Sequence, residues 1–410
     1  LEVAVFEGGF GLEWHRGVAR AWERLHPEMS VRVWGDPRIE QKVKPRILRG
    51  DPPDLVNCLI PVWKLIVADR LYPLDEALNS PAYGSEKLWK DTLTPGSYSA
   101  YEYEGRHYAM PSNLSAVVCW YDKRLFRKHN WQVPKTYGEF RSLCAEARST
   151  GLAPIAFQGK YCGTYGWWIL LTLFARLVPP EVWYEAQDLK PGAFTRAEFV
   201  QASEMFQQLV REDFQPGCMA MTHTESQLEW VNGRALFVFC GLWLKNEMKN
   251  ALPEGFEMCC FAMPPVEGGD GDGTSVYGGG SEEFFILKDA KRPREALEFL
   301  KFMMSRENAR AYMRLVEAPA PVRDADVGMK LSSDLQSAMD VIRAAGRFFD
   351  DRLSSLFLDF GKGVLPDALA DLMNQKETPK GFARRLEDAL ERIRRNPNVY
   401  KPPARGVPGV

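Results

Sequence analysis

An α/β fold, with mostly parallel sheets flanked by helices, is what this sequence predicts, and three stretches predict it. Residues 1–57 alternate strand, helix, strand, helix, strand, an order that puts a parallel sheet inside and helices outside. Residues 222–243, THTESQLEWVNGRALFVFCGLW, read as a capped helix followed by a short apolar strand. Residues 117–157 repeat the theme, with a strand, two helices and a second strand. A chain of 410 residues is long enough for two domains.

Taken in order, the first strand is 3–6, and the glycine-rich turn Glu7-Gly8-Gly9-Phe10-Gly11 follows it. The third glycine of the dinucleotide fingerprint is missing and no acidic residue ends the second strand, 31–34, so NAD binding is rejected. Between these strands a helix carries Trp14, Val18, Ala21, Trp22 and Leu25 on one face. Gly35-Asp36-Pro37 turns the chain into a helix through Val43 and Ile47. Gly50-Asp51-Pro52-Pro53 breaks it before the third strand, 54–57. A short helix around Trp63, Leu65, Ile66 and Val67 comes next. Residues 101–111 read as a hairpin turning near Gly105.

A strand over 117–121 leads into a helix that begins at Asp122-Lys123. Thr136 and Glu139 can cap the next helix reciprocally. The strand 155–157 empties into 158–168, a stretch dense in glycine, polar and aromatic residues, which is the composition of a binding wall. Residues 179–222 are mainly helical.

Thr222 and Glu225 form a second capping-box pair, and Asn232-Gly233 stops that helix. Residues 235–240 are branched and aromatic and read as a strand buried on both faces. It ends in Gly241-Leu242-Trp243, and an aromatic just past a strand end stands where open α/β sheets bind ligands. Residues 256–263 form another strand. In the loop 267–273, Asp270-Gly271-Asp272 resembles the start of a calcium loop. The closing glutamate is absent, so a plain flexible loop is expected. Gly278-Gly279-Gly280-Ser281-Glu282-Glu283 leads into the strand 284–287. The remainder is helical around a proline-punctuated link at 319–323, and it ends in an amphipathic helix over 382–393 and a proline-rich tail. No internal repeat is present.

The net charge of -2 argues against nucleic acid as a partner, because phosphate binding wants a basic face. No run of about 18 apolar residues predicts a membrane span. No signal peptide is read, and the chain opens directly on a strand, as a mature protein would whose leader was cut off or left out. The eight cysteines include no C-x-x-C pair and are expected mainly as buried thiols, with pairing unreadable from sequence. The five histidines, His15, His26, His107, His129 and His223, lie far apart. They are expected in the core or on the surface, with no metal site and no cofactor.

An ordered series of motifs is similar to the extracellular solute-binding proteins of bacterial ABC importers, in the branch that carries sugars. The series begins with Asp51-Pro52-Pro53-Asp54-Leu55-Val56 and Leu71-Tyr72-Pro73-Leu74-Asp75. It continues with Gly105-Arg106-His107-Tyr108-Ala109-Met110-Pro111 and Trp120-Tyr121-Asp122-Lys123-Arg124-Leu125-Phe126. Pro134-Lys135-Thr136-Tyr137-Gly138-Glu139-Phe140, then Gly233-Arg234-Ala235-Leu236 onward through Trp243, and Ala296-Leu297-Glu298-Phe299 complete it. The subgroup for N-acetylglucosamine and its β-linked disaccharide carries stretches similar to Val3-Ala4-Val5-Phe6-Glu7-Gly8-Gly9, Trp34-Gly35-Asp36, Phe157-Gln158-Gly159-Lys160-Tyr161 and Met221-Thr222-His223.

The resemblance implies a two-lobed periplasmic-binding-protein-like α/β fold with hinge crossovers near 111–113, 264–265 and 319–321. One lobe would be 1–112 with 266–318, and the other 113–265 with 319–410. It further implies an extracytoplasmic monomer, in the periplasm or at a cell surface where a lipid on a preceding segment is one means of anchoring, that captures a mono- or oligosaccharide between its lobes by hinge closure and delivers it to permease subunits, without catalysis.

A neutral sugar needs hydrogen-bonding groups at its edge and aromatic rings on its C–H faces. On that chemistry, Trp243 and Tyr161 are the expected stacking platforms. Glu7, Asp36, Asn113, Gln158, Lys160 and Glu283 are the edge partners, and Gly241 permits close approach. Trp34, Trp63, Trp168 and Tyr277 are further candidates to line the cleft, with the core the favoured place for Trp63 and Trp168. Asp36 can equally cap a turn, and one of Glu282 and Glu283 is expected to face inward. The competing enzyme is a glycoside hydrolase, which needs two carboxylates about 5–10 Å apart, and no acid/nucleophile motif supports it. A peptide binder on the same fold is the other alternative.

Overall fold

The computed structural model describes residues 1–404 except 59 and 61; the last part of the proline-rich tail, 405–410, lies outside the described residues. The chain forms two compact units. Unit 1 comprises Leu1–Ser115 and Gly278–Ser332, and unit 2 comprises Ala116–Tyr277 and the described residues from Ser333 onward. Relative to the expected boundaries, 113–115 and 319–332 join unit 1, while 266–277 join unit 2. Backbone pairing explains the first shift: Leu114 N donates to Pro319 O at 2.9 Å, and Thr94 N to Pro321 O at 2.8 Å.

In unit 1 the strand Glu2–Phe6 lies between two parallel neighbours, Arg32–Asp36 and Leu55–Asn57. The second strand therefore runs two residues further than its apolar letters suggested, and it does end on an acid, Asp36. Phe284 and Phe285 pair antiparallel with Asn57 and Val56. Over the sheet lies the helix Glu13–Leu25, which buries Trp14, Val18 and Trp22. Its apolar stripe stops there, because Leu25 is 58% exposed. Trp14 packs edge-on against Tyr312 at 5.0 Å, and Trp22 against Phe299 and Phe302, so aromatic contacts fasten this helix to the two helices Pro293–Met303 and Arg306–Val316.

In unit 2 the sheet order is Met258–Phe261, Val118–Asp122, Ala235–Cys240, Ala153–Ala156. The sheet is mixed: only Ala153–Ala156 runs parallel to its neighbour. All six residues of Ala235–Cys240 are buried, as their apolar run requires. The helix before it, His223–Val231, opens with the reciprocal capping box of Thr222 and Glu225.

Two expectations are corrected here. The stretch 158–168 is not a loop: after one turn at Gly159–Tyr161, the helix Cys162–Leu177 begins. Its glycines serve packing, since a Cβ at Gly163 would meet Pro366 at 2.8 Å and one at Gly166 would meet Phe206 at 3.2 Å. The residues 276–285 form one ten-residue strand, Val276–Phe285, instead of a turn followed by a strand. Its first two residues pair in parallel with Phe348 and Phe349 inside unit 2.

Nor is the loop around 264–275 loose. Arg176, 1% exposed, donates from Nε and Nη2 to Met263 O at 3.2 and 2.9 Å. Its Nη1 donates to Asp272 O at 2.8 Å and Ser275 Oγ at 2.9 Å. A Cβ at Gly269 would sit 2.2 Å from Arg176 O, and one at Gly271 2.2 Å from Ala175 O, so the glycines allow the loop to lie flat on the helix end. The Asp270-Gly271-Asp272 resemblance to a calcium loop thus reflects this close approach. Among the described residues no three His, Cys, Asp or Glu side chains come together as metal ligands.

Candidate functional site

In unit 2 the strand Ala235–Cys240 delivers the chain to Gly241, whose carbonyl accepts from Trp120 Nε1 at 3.2 Å. Trp243 then folds its ring back over that glycine. A Cβ at 241 would lie 2.0 Å from Trp243 Cζ3, so only glycine leaves the ring its place. We expect Gly241→Ala to displace this indole and to weaken ligand binding by about tenfold while the melting temperature changes by only a few degrees; calorimetric titration beside a thermal melt checks both.

Trp243 is half-buried and belongs to an aromatic surface. Trp168 lies 6.2 Å from it at 71°, Tyr277 lies 5.6 Å from Trp168 at 31°, and Tyr165 lies 5.0 Å from Trp168 at 62°. All four are part-exposed. Trp168 therefore corrects the expectation of a core residue. Its neighbour Trp167 is the core member, 1% exposed with Nε1 donating to Asp351 Oδ2 at 2.7 Å. Tyr165 and Trp168 are three apart on one helix face, a spacing visible in the sequence once the helix start is placed at Cys162. Trp63 is buried at 2%, as expected of a core residue.

Tyr161, 44% exposed, stands with its ring edge-on to His223 at 5.4 Å. His223 Nε2 in turn lies 3.9 Å from Glu247 Oε1. Glu247 accepts from Gln227 Nε2 at 2.6 Å, and burial holds its carboxyl above the ordinary range. His223 was expected only as a core or surface histidine, and Glu247 was not named from sequence; Glu247 sits one turn after Trp243, and its amide donates to Trp243 O. Lys160 is exposed. Gln158 is 1% exposed and spent inside the unit: Nε2 donates to Phe239 O at 2.9 Å, and Oε1 accepts from Ser226 Oγ at 3.1 Å. It clips the strand end to the helix His223–Val231 instead of standing free for an edge contact.

In unit 1 the candidates separate into two groups. Trp34 donates from Nε1 to Glu2 Oε1 at 2.9 Å, and Glu2 also holds Arg46 at 2.7 and 2.9 Å. Those guanidinium contacts pull the Glu2 carboxyl down to about 2 despite its partial burial. Trp34 is thereby fixed to an ion pair. Asp36 accepts from Arg38 N at 2.8 Å and from Lys42 Nζ, the turn-capping role, and these partners lower its pKa. Glu7 is exposed beside this turn, its amide donating to Asp36 O.

The second group lies along the strand Val276–Phe285. Buried Asn57, unremarked in the sequence, accepts from Phe6 N at 3.1 Å and donates to Glu283 O at 3.3 Å, tying two strand ends together. Asn113 is fully buried, and its Oδ1 has no hydrogen-bond partner among the described residues. Glu282 and Glu283 are both part-exposed, and desolvation of the Glu282 carboxyl together with the charge of Glu283 pushes it up to about 8.

Two α/β units, one bearing a surface of part-exposed rings and the other a group of buried polar side chains, define a receptor-type binding protein. The chain belongs to the bacterial extracellular solute-binding protein family, whose model matches residues 11–310. That family is one of binding receptors and not of enzymes, and no described helix is long and apolar enough to cross a membrane. The diacetylchitobiose-binding protein NgcE of Streptomyces coelicolor is 25% identical over 330 residues, covering 79% of this chain and 70% of that protein. The multiple sugar-binding protein of Streptococcus mutans is 22% identical over 325 residues, covering 75% and 71%. A solved chitin oligosaccharide binding protein superposes with a TM-score of 0.75 at 19% identity, over 95% of this chain and 98% of the other, which shows the shared fold.

Proposed function

We propose that this protein is the capture component of an ABC importer for a carbohydrate, with N-acetylglucosamine or diacetylchitobiose as the solute and the importer's permease subunits as its partner. The observation that carries this reading is the aromatic surface of Trp243, Trp168, Tyr277 and Tyr165 in unit 2. Ring faces of this kind match the C–H faces of a pyranose, and phenol and indole groups supply polar tips at their rims. The similarity to NgcE over most of the chain supports the choice of solute. The protein acts as a monomer outside the cytoplasm and performs no chemistry on the solute.

A thermal-shift screen against mono- and oligosaccharides tests this. Ligand at a hundredfold excess over Kd stabilises the native state by about 2.7 kcal/mol, which raises the melting temperature measurably. A rise with N-acetylglucosamine or diacetylchitobiose is the expected result. A rise with a different saccharide alone would keep the carbohydrate class and discard this solute. A rise with peptides and no saccharide would overturn the proposal.

A further inference from the structure

Within unit 1, Glu282 is the residue whose conformation and surroundings the fold leaves unexplained. It sits inside the strand Val276–Phe285 with φ at 49°, in the left-handed region that a side chain other than glycine or asparagine rarely adopts. Three glycines, 278–280, lie just upstream, yet the left-handed residue is Glu282, two positions past the last of them. Strain of this kind persists where the surroundings hold it, and it gathers at sites that handle ligands. One more group nearby is left open. Asn113 Oδ1 is fully buried with no hydrogen-bond partner among the described residues. The Asn113 side chain also stands beside the hydroxyl of Tyr312, 1% exposed on the helix Arg306–Val316, and that phenol is pushed up first by burial and then by nearby Glu282. Buried polar atoms left open in a native fold call for a partner from outside.

We propose that Glu282, rather than Glu283, is the ligand-contacting carboxyl of unit 1, and that it donates a hydrogen bond to an acceptor oxygen of the bound carbohydrate, such as an acetamido carbonyl. This rests on the carbohydrate reading above. The charged and titratable groups around Glu282 are few. Glu283 lies on its own strand, Tyr312 on the helix Arg306–Val316, and His15 on the helix Glu13–Leu25 packs against neighbouring Phe284 at 5.7 Å. His15 is fully buried, which lowers it to about 4 and keeps it neutral at pH 7. No cation stands among the groups that shift Glu282, so burial and Glu283 keep its proton on to about pH 8. A carboxyl in that state gives a hydrogen bond where an ionised one only accepts.

The experiment is calorimetric titration of the wild type, E282Q and E282A with diacetylchitobiose at pH 6 and pH 9.5, replaced by the best-binding saccharide of a panel if another binds more tightly. The wild type is expected to bind at least tenfold more weakly at pH 9.5. E282Q, whose amide still donates, should stay within about threefold of wild type at pH 6 and lose the pH dependence. E282A should bind at least fivefold more weakly at pH 6. Melts without ligand add a second readout. The native state holds the Glu282 proton from about pH 4.5 to 8 while the unfolded chain has released it, so wild-type stability falls as pH rises through that window and stays lowered above it. The E282Q melting temperature should therefore gain on wild type across the same window. Wild-type affinity equal at both pH values, or an E282Q protein with the wild-type pH dependence, overturns the assignment of Glu282 alone. Absence of binding to every saccharide at pH 6 overturns the carbohydrate reading and this inference with it.

Discussion

Trp243→Ala should weaken saccharide binding at least tenfold, which is a loss of about 1.4 kcal/mol or more. The indole is half-exposed at a strand end and touches Trp168 edge-on, so its removal takes away a ring face and leaves the buried strand Ala235–Cys240 untouched. Truncation also frees Trp168 to turn into the vacated space, which degrades a second ring of the same surface. The fold should survive, because the core of unit 2 is carried by residues such as Trp167, Phe140 and Phe237, none more than 1% exposed. Calorimetric titration beside a far-ultraviolet circular dichroism spectrum reads both halves. Unchanged affinity would remove Trp243 from the ligand site.

Arg176→Ala should have the largest effect on stability. Its guanidinium is buried and makes four hydrogen bonds, two of them to one carbonyl. Burial draws its pKa down only to about 10, so the charge is retained at neutral pH. Truncation takes both guanidinium bonds from Met263 O, leaves Asp272 O with only its Ser275 donors, and opens a cavity beneath the loop. Orphaned buried groups cost about 1–3 kcal/mol each, so a total of about 3–5 kcal/mol is expected. For a unit of this size that is a fall in melting temperature of roughly 10 °C. Arg176→Lys should restore little, because a single ammonium cannot span the same carbonyls in a planar fork. A melting temperature within two degrees of wild type would show that the loop is held by something other than this residue. The loop ends two residues before Tyr277, so the variant should also bind saccharide more weakly.

What was readable from sequence was what short-range chemistry decides. The Thr222 and Glu225 capping box, the apolar run 235–240 and the Gly241–Trp243 exit all depend on neighbours within a few residues. The site was harder, because its choices are made across the chain. Trp167 and Trp168 are chemically alike and adjacent. Asp351, 184 residues away, takes the indole of Trp167 as its hydrogen-bond donor and thereby marks the inward face. Gln158 reads as a free amide until Phe239 and Ser226 claim both its ends. Trp34 is part-exposed, and what orients its ring is Glu2, 32 residues earlier, which takes its indole N–H. The loop 267–273 looks unstructured because its anchor, Arg176, belongs to a helix almost a hundred residues earlier.

The eight cysteines turn these differences into a clock. All are free and buried, and burial pushes the thiols up, so an alkylating reagent meets almost no thiolate until the chain opens. They are also unequally shared. Cys58 lies in unit 1, whereas Cys119, Cys144, Cys162, Cys218, Cys240, Cys259 and Cys260 lie in unit 2. Mass spectrometry of the labelled protein would therefore give each unit its own signature: one added label when unit 1 opens, seven when unit 2 opens, eight when both do. Followed over time with and without a saccharide, the ladder of masses would report which half the ligand protects, with no dye and no engineered residue.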